Sequence, residues 1–502
     1  MHPCRREKRK AYEAAAPGAA MEEWFMNEQK SRAQWGSKLG FLMAAVGSAV
    51  GLGNIWGFPY KMGKSGGFAF LLVYLVLAAT VGFVIMIAEL AMGRRAGKGI
   101  IGSYAAACKK SKWIGALGVL SPFLILTFYC VLGAYCMQYM FLNFSELAMG
   151  VYSASAMTGA DSFSAMITNP LGCIIFTGIF VILNILVVQK GVSGGIEKFN
   201  TVGMPALFFM LIVIIIRSVT LPGAAEGLKF MFAPNFEPFS SFGGFISVLA
   251  TAGGQMFFSL SLAMGAMMTY GSYLSKDENI PKNAATIVFF DTLVALMAGM
   301  AVLPAAFALG GDGAAMQGPK LLFITMQDVF SNMGALGPIF GIVFYGLVII
   351  AALSSSISLI EVLVTYVCDT REQKNKPENR KQITWIVCGL MTIGAFLVAW
   401  DGLGSNGLWV PFQKTFGIIG EFNDCWLDFF DFISEGVAMP LGAFLMSVLI
   451  GWIVKPKYVL DELGGGGKIA GFFRFCIQWV CPIAMLFILA GQLSNFLYLG
   501  WF

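Results

Sequence analysis

Between Leu39 and Tyr60 the chain reads LGFLMAAVGSAVGLGNIWGFPY, twenty-two residues without a charge. That length can cross a hydrocarbon layer of ~30 Å, but five glycines, a proline and an asparagine argue against an unbroken helix. Unpaired backbone N–H and C=O groups are costly against lipid. An interruption around Gly51, Gly53 and Asn54 is therefore tolerable only where it lines a protein-enclosed site. A helix broken there offers the amide hydrogens of one half to an anion and the carbonyls of the other to a cation.

The rest of the chain repeats the membrane signal. Apolar runs lie at 41–62, 68–92, 113–144, 170–188, 198–220, 240–273, 283–309, 336–368, 383–400, 427–454 and 472–500, eleven candidate membrane helices. At 57% hydrophobic and 12% charged residues, with a mean hydropathy of +0.75, a soluble fold is excluded. Residues 1–38 are polar and basic, lack the apolar core of a signal peptide, and are expected to form a cytoplasmic arm. An odd number of crossings then leaves the C-terminus outside. On that topology 27 of the 33 Lys and Arg residues face inward, and six (Lys61, Lys64, Arg217, Lys229, Lys320 and Lys414) face outward. This is the bias of a cell-membrane protein, and it removes the nucleic-acid reading of the +5 net charge. The outer loop 145–169 has no Lys or Arg, while loops 310–335 and 401–426 are long enough to act as lids or as spacers.

A second anomaly lies in the sixth run. From Pro238 to Ser275 there is no charge over thirty-eight residues, which as one helix would measure about 57 Å. Its centre, FFSLSLAMGAM, carries Ser259, Ser261, Ala263 and Gly265, so a second break is expected there. Interrupted first and sixth helices, five apart, are what an inverted-repeat transporter predicts. The expected fold is an all-α polytopic membrane protein of eleven transmembrane helices with a 5+5 inverted repeat. It divides into an arm (1–38), a first repeat (39–220), a second repeat (238–454), and an inner loop with the eleventh helix (455–502).

Few side chains at membrane depth can carry chemistry. Ser354, Ser355 and Ser356 put three successive hydroxyls in the eighth run, a set that suits a hard cation, although membrane serines commonly bond to their own helix. Asp291, Glu361 and Glu89 are carboxylates inside apolar runs, either functional or hydrogen-bonded between helices. The one histidine, His2, lies in the arm, and the ten cysteines form no CxxC pair. With no nucleophile–base pair and no metal-ligand cluster, an enzyme is not expected.

The motifs RAQWGSKLGF, AVGSAVGLGNIWGFPY, AELAMGRR, GQMFFSLSLAMGAMMTYGSY and ALSSSIS together resemble the neurotransmitter:sodium symporter family, in its eleven-helix bacterial amino-acid transporter branch with the leucine-transporter-like fold. The resemblance runs from about Arg32 to the end of the tenth helix. It implies two sodium sites: a first from the Ala49 backbone, Asn54, Ser259, Asp291 and the substrate carboxylate, and a second from the backbones of Gly47, Val50 and Ala351 with the Ser354 and Ser355 hydroxyls. The substrate carboxylate would meet the Leu52 and Gly53 amides and Tyr129. Its ammonium would meet the Ala49, Phe258 and Ser259 carbonyls and Ser261. Side-chain selection would fall to Ser48, Ile125, Phe258, Met264, Ser355 and Leu359. That lining has no charge, which favours a neutral amino acid, and Met264 suggests tolerance of several apolar side chains. Arg32, Trp35 and Asp369 resemble the family's cytoplasmic gate, with Tyr273 bonding Glu361. Gly195 and Pro205 match an element at which the fifth helix unwinds.

Two positions depart from the family pattern. Gly57 stands where an arginine normally pairs with the equivalent of Asp431, so the outer salt bridge is expected to be absent and outer gating to rest on Tyr129 and Phe258. Ala263 replaces a usual glycine. The sequence therefore predicts a sodium-coupled symporter for a neutral apolar or aromatic amino acid, working by alternating access. Asp291 supplies the negative charge that chloride brings in some relatives, so chloride independence is expected. The rivals are a proton-coupled or exchanging transporter using Asp291 or Glu361, and a transport-dead amino-acid sensor.

Overall fold

The computed structural model describes residues 34–150, 158–309, 320–377, 379–411, 425–464, 467–497 and 499–501, which are helical with no strand among them. The spans are α1 (halves Lys38–Ala49 and Gly53–Lys64), α2 (Phe68–Ala96), α3 (Lys109–Met149), α4 (Pro170–Val188), α5 (Val192–Val219) and α6 (halves Phe242–Ser259 and Ala266–Gly271). They continue as α7 (Ile280–Ala308), α8 (Gly334–Gln373), α9 (Arg380–Asp401), α10 (Trp426–Ile453) and α11 (Lys468–Leu497). Counting the bent α1 as one, eleven helices among the described residues are long and apolar enough to cross a membrane.

Local chemistry sets their ends. Ser37, Asn169, Ser241, Asn279 and Asn379 cap α1, α4, α6, α7 and α9, each side chain accepting an amide of the first turn. Outward stripes such as Leu171, Ile175, Ile179, Ile182 and Leu186 on α4 recur every three or four residues, an apolar face suited to lipid.

Both interruptions are present. The halves of α1 meet at 46°, where Val50 leaves the helix with ψ 105°. The gap is tighter than the glycines suggest. The Gly51 amide donates to Asn54 Oδ1 at 3.0 Å, so the side chain substitutes for the missing acceptor and the helix restarts at Gly53 as a wide turn over Gly53–Gly57. In α6 the helix ends at Ser259 and resumes at Ala266, through left-handed Ser261 (φ 52°), Ala263 (φ 61°) and Gly265 (φ 79°). Two non-glycine residues in that region are strained. Glu89 of α2 holds them by accepting the Ala263 amide at 2.6 Å, and Ser261 Oγ ties the break to the Ser48 carbonyl at 2.8 Å. Glu89 thus fills the hydrogen-bonded role between helices.

The broken centres are enclosed. The first half of α1 packs against α5, α7 and α8, the second half against α6 and α7, and α3 lies along α8. The stretch between α7 and α8, expected as a lid or a spacer, contains a helix at Leu321–Ser331, and the loop after α3 carries one at Gly159–Ile167. Most of the third such loop, 412–424, lies outside the described residues.

Candidate functional site

Asp291 of α7 is fully buried beside the restart of α1 and the end of α6's first half. Ser259 Oγ donates to its two oxygens at 2.9 and 3.0 Å, and Asn54 Nδ2 donates at 2.8 Å. Tyr74 of α2 donates at 3.2 Å. Every donor is neutral, and among the described residues no Lys or Arg pairs with this carboxylate. A buried carboxylate without a counter-charge must either take up a proton or be paired with a cation. Sequence reasoning missed Tyr74, because one tyrosine in an apolar run reads as an ordinary amphipathic aromatic.

A second cluster of oxygens lies where α8 crosses the other lip of the break. Ser355 Oγ is within 3.2–3.4 Å of the Gly47, Ser48 and Val50 carbonyls. Ser354 Oγ reaches the Ala351 carbonyl at 2.8 Å and that of Val50 at 3.3 Å. The structure thus brings together Gly47, Val50, Ala351, Ser354 and Ser355. Their oxygens form an uncharged shell of the kind hard cations accept. Ser356 faces away, donating to Asn184 of α4 at 2.6 Å.

Between the clusters, Tyr129 of α3 accepts the Leu52 amide at 2.9 Å, and its ring lies 6.3 Å from that of Phe258. Gly53 admits that packing, since a Cβ there would stand 2.7 Å from the Phe258 ring. Ile125, Met264 and Leu359 are buried, Ile125 one turn from Tyr129 and Leu359 one turn from Ser355 on the same helix faces. Ala49, Leu52 and Gly53 border the break itself. The Ser48 hydroxyl is turned to Ser358 of α8 at 2.7 Å, a partner sequence reasoning missed.

At the end of the bundle where α1 begins, Trp35 Nε1 donates to the Tyr270 carbonyl at 3.2 Å, and its ring contacts Phe41, Tyr270 and Tyr273. Tyr273 donates to Glu361 at 2.8 Å. Asp369 accepts the Gly99 amide at 2.6 Å, and Arg32 lies outside the described residues. Glu361, fully buried, has a further partner that was not anticipated: the partly exposed Arg380 of α9 forms an ion pair with it and also donates to the Val188 carbonyl. Gly195 sits in the wide first turn of α5, where a Cβ would stand 2.1 Å from the Val187 carbonyl, and Pro205 is inside the helix.

As expected from Gly57, no ion pair joins position 57 to Asp431 among the described residues, but a different pair stands close by. Lys61, one turn beyond Gly57, forms an ion pair with Glu435 of α10, and Asp431 lies within electrostatic reach of both. A side chain at position 57 would be crowded. Gln255 donates to the Gly53 carbonyl at 2.7 Å, and a Cβ at position 57 would stand 2.9 Å from its other amide atom, Oε1. Gly57 leaves room for that glutamine.

A model of the sodium:neurotransmitter symporter family matches residues 32–159 and 162–501. The chain belongs to that family. It is similar to an uncharacterized sodium-dependent transporter, YhdH, of Bacillus subtilis, 35% identical over 481 residues that cover 93% of this chain and 100% of the relative. It is also similar to the human sodium- and chloride-dependent GABA transporter 2, 26% identical over 502 residues, covering 90% and 78%. The crystal structure of MhsT in complex with L-phenylalanine superposes with a TM-score of 0.80 at 37% identity, over 92% of this chain and 100% of that one. As a member of the sodium:neurotransmitter symporter family, the chain is a multi-pass membrane transporter of leucine-transporter-like fold.

Proposed function

We propose that this symporter couples sodium entry to uptake of a neutral apolar or aromatic amino acid across the cell membrane, with the start of α1 on the cytoplasmic side and the C-terminus outside. The observation that carries the reading is Asp291, a buried carboxylate ringed by neutral donors at 2.8–3.2 Å. Sodium seated between Asp291, Ser259, Asn54 and the Ala49 carbonyl would supply the missing positive charge. The substrate carboxylate, held by the Leu52 and Gly53 amides and the Tyr129 hydroxyl, would complete its shell. The substrate ammonium would take the Ala49, Phe258 and Ser259 carbonyls and Ser261. A second sodium would sit among Gly47, Val50, Ala351, Ser354 and Ser355.

Selectivity follows from the lining. Ser48, Ile125, Phe258, Met264, Ser355 and Leu359 offer no charge to a charged side chain, and the similar MhsT is known with L-phenylalanine bound. Because Asp291 already provides negative charge at the first site, chloride is not required, unlike in the chloride-dependent GABA transporter 2. Two sodium charges crossing 100 mV contribute roughly 4.6 kcal/mol, more than a thousandfold accumulation. The test is uptake of a labelled amino-acid panel into proteoliposomes at fixed pH, with sodium replaced by potassium and chloride by gluconate. Loss with potassium and retention with gluconate support the reading. Uptake that follows a proton gradient without sodium would assign the coupling to Asp291 protonation instead. Binding without counterflow would mark a sensor.

A further inference from the structure

The first half of α1 and the residues before it turn three glycines toward α5, and each meets a polar side chain. A Cβ on Gly36 would stand 3.2 Å from the Glu197 carboxylate, one on Gly40 1.9 Å from it, and one on Gly47 2.0 Å from Asn200 Oδ1. Side chains are excluded from this groove because oxygens of α5 fill it. Glu197 and Asn200 are three residues apart, so they share a helix face, and both are buried.

The two are bonded very differently. Glu197 accepts the Gly36 amide and the Ser37 hydroxyl, each at 2.7 Å. Ser37 is the N-cap of α1, its Oγ accepting the Gly40 amide at 2.9 Å, so Glu197 grips the cap itself. Asn200 is half satisfied. Its Nδ2 donates to the Ile196 carbonyl at 2.9 Å, which leaves Oδ1 aimed at α1, buried and without a donor among the described residues. A bare buried acceptor is unfavourable unless positive charge comes to it. The residue it abuts is Gly47, whose carbonyl lies 3.4 Å from Ser355 Oγ in the second oxygen cluster.

We propose that Asn200 Oδ1 is a further ligand of the second sodium in its site, and that Glu197 receives the ion next as it leaves toward the start of α1. The inference rests on the reading of the Gly47–Ser355 cluster as a sodium site. Amide oxygen followed by carboxylate gives a hard cation a path of rising negative charge. At Glu197 the ion competes with the Gly36 amide and the Ser37 hydroxyl for the same two oxygens. Its passage therefore loosens the cap of the first half of α1.

The test uses the full chain in proteoliposomes, with sodium alone as the probe. Half-saturation is read from sodium-dependent thermal stabilisation, and exchange of the α1 amides from deuterium uptake. Ser354→Ala should raise half-saturation by roughly tenfold or more and Asn200→Leu by roughly threefold to tenfold, while Asn200→Asp should lower it, a direction no folding defect imitates. Glu197→Gln should speed exchange over Lys38–Val46 in sodium-free buffer. If Ser354→Ala weakens sodium but neither Asn200 variant shifts it, Asn200 is no ligand and the proposal falls while the second site stands. If Ser354→Ala has no effect, the second site itself is wrong. Parent-like exchange in Glu197→Gln overturns the latch.

Discussion

Replacing Asp291 by asparagine keeps the side chain's shape and removes its charge. The amide oxygen can accept from Asn54, and the new NH2 can donate to the Ser259 and Tyr74 hydroxyls, which rotate to accept, so the hydrogen-bonded cage at 2.8–3.2 Å survives. What disappears is a full negative charge beside the cation. Two unit charges 4 Å apart attract by about 4 kcal/mol at an effective dielectric of ~20. The remaining amide oxygen keeps part of that, which leaves a loss of about 2–4 kcal/mol, or roughly 30- to 1000-fold in sodium half-saturation. The assay is a thermal melt of purified protein across a sodium titration, with ionic strength held by potassium. Without sodium the variant should melt at or above the parent's temperature, because it no longer buries an uncompensated charge. A half-saturation indistinguishable from the parent's would refute the assignment.

The Lys61–Glu435 ion pair predicts an order of effects. Lys61→Met leaves Asp431 and Glu435 facing each other without a cation and should cost about 2–4 kcal/mol, while Glu435→Gln still leaves Lys61 its attraction to Asp431 and should cost less. Equal losses in denaturant melts would contradict that order. Arg380→Gln strands the fully buried Glu361 carboxylate and should cost about 3–5 kcal/mol, with Glu361→Gln in the same chain recovering part of it. A double-mutant cycle with no coupling would remove the pair from the account. Gly47→Ala forces a Cβ to 2.0 Å from Asn200 and should abolish the sodium-dependent rise in melting temperature. Gly346→Ala on α8 meets nothing within 4 Å and should be neutral or stabilising by about 0.5–1 kcal/mol.

The breaks were legible because glycine, serine and asparagine at membrane depth have few other physical justifications. Asn54 and Asp291 stood out for the same reason. The exact geometry was not. The α1 gap closes early because Asn54 caps Gly51, a local bond that composition does not announce. Pairings between distant helices were least visible. Lys61 and Glu435 lie 374 residues apart, and only the packing of α10 against the second half of α1 brings them together. Arg380 reads as one more loop cation until α9 is seen docked against Glu361 and the end of α4. Glu197 and Asn200 look like ordinary helix-start polarity, and only the glycines opposite them reveal a shared face. Sequence exposes which residues are out of place in lipid, whereas helix rotation decides which of them meet.

Uptake of labelled L-phenylalanine and a panel of neutral amino acids into proteoliposomes, driven by an inward sodium gradient in chloride-free buffer, tests the central claim most directly. Accumulation of at least one of them above equilibrium, lost when potassium replaces sodium and strongly weakened in Asp291→Asn, is the expected result. Equal uptake in potassium, or none in sodium for any neutral amino acid, would contradict it.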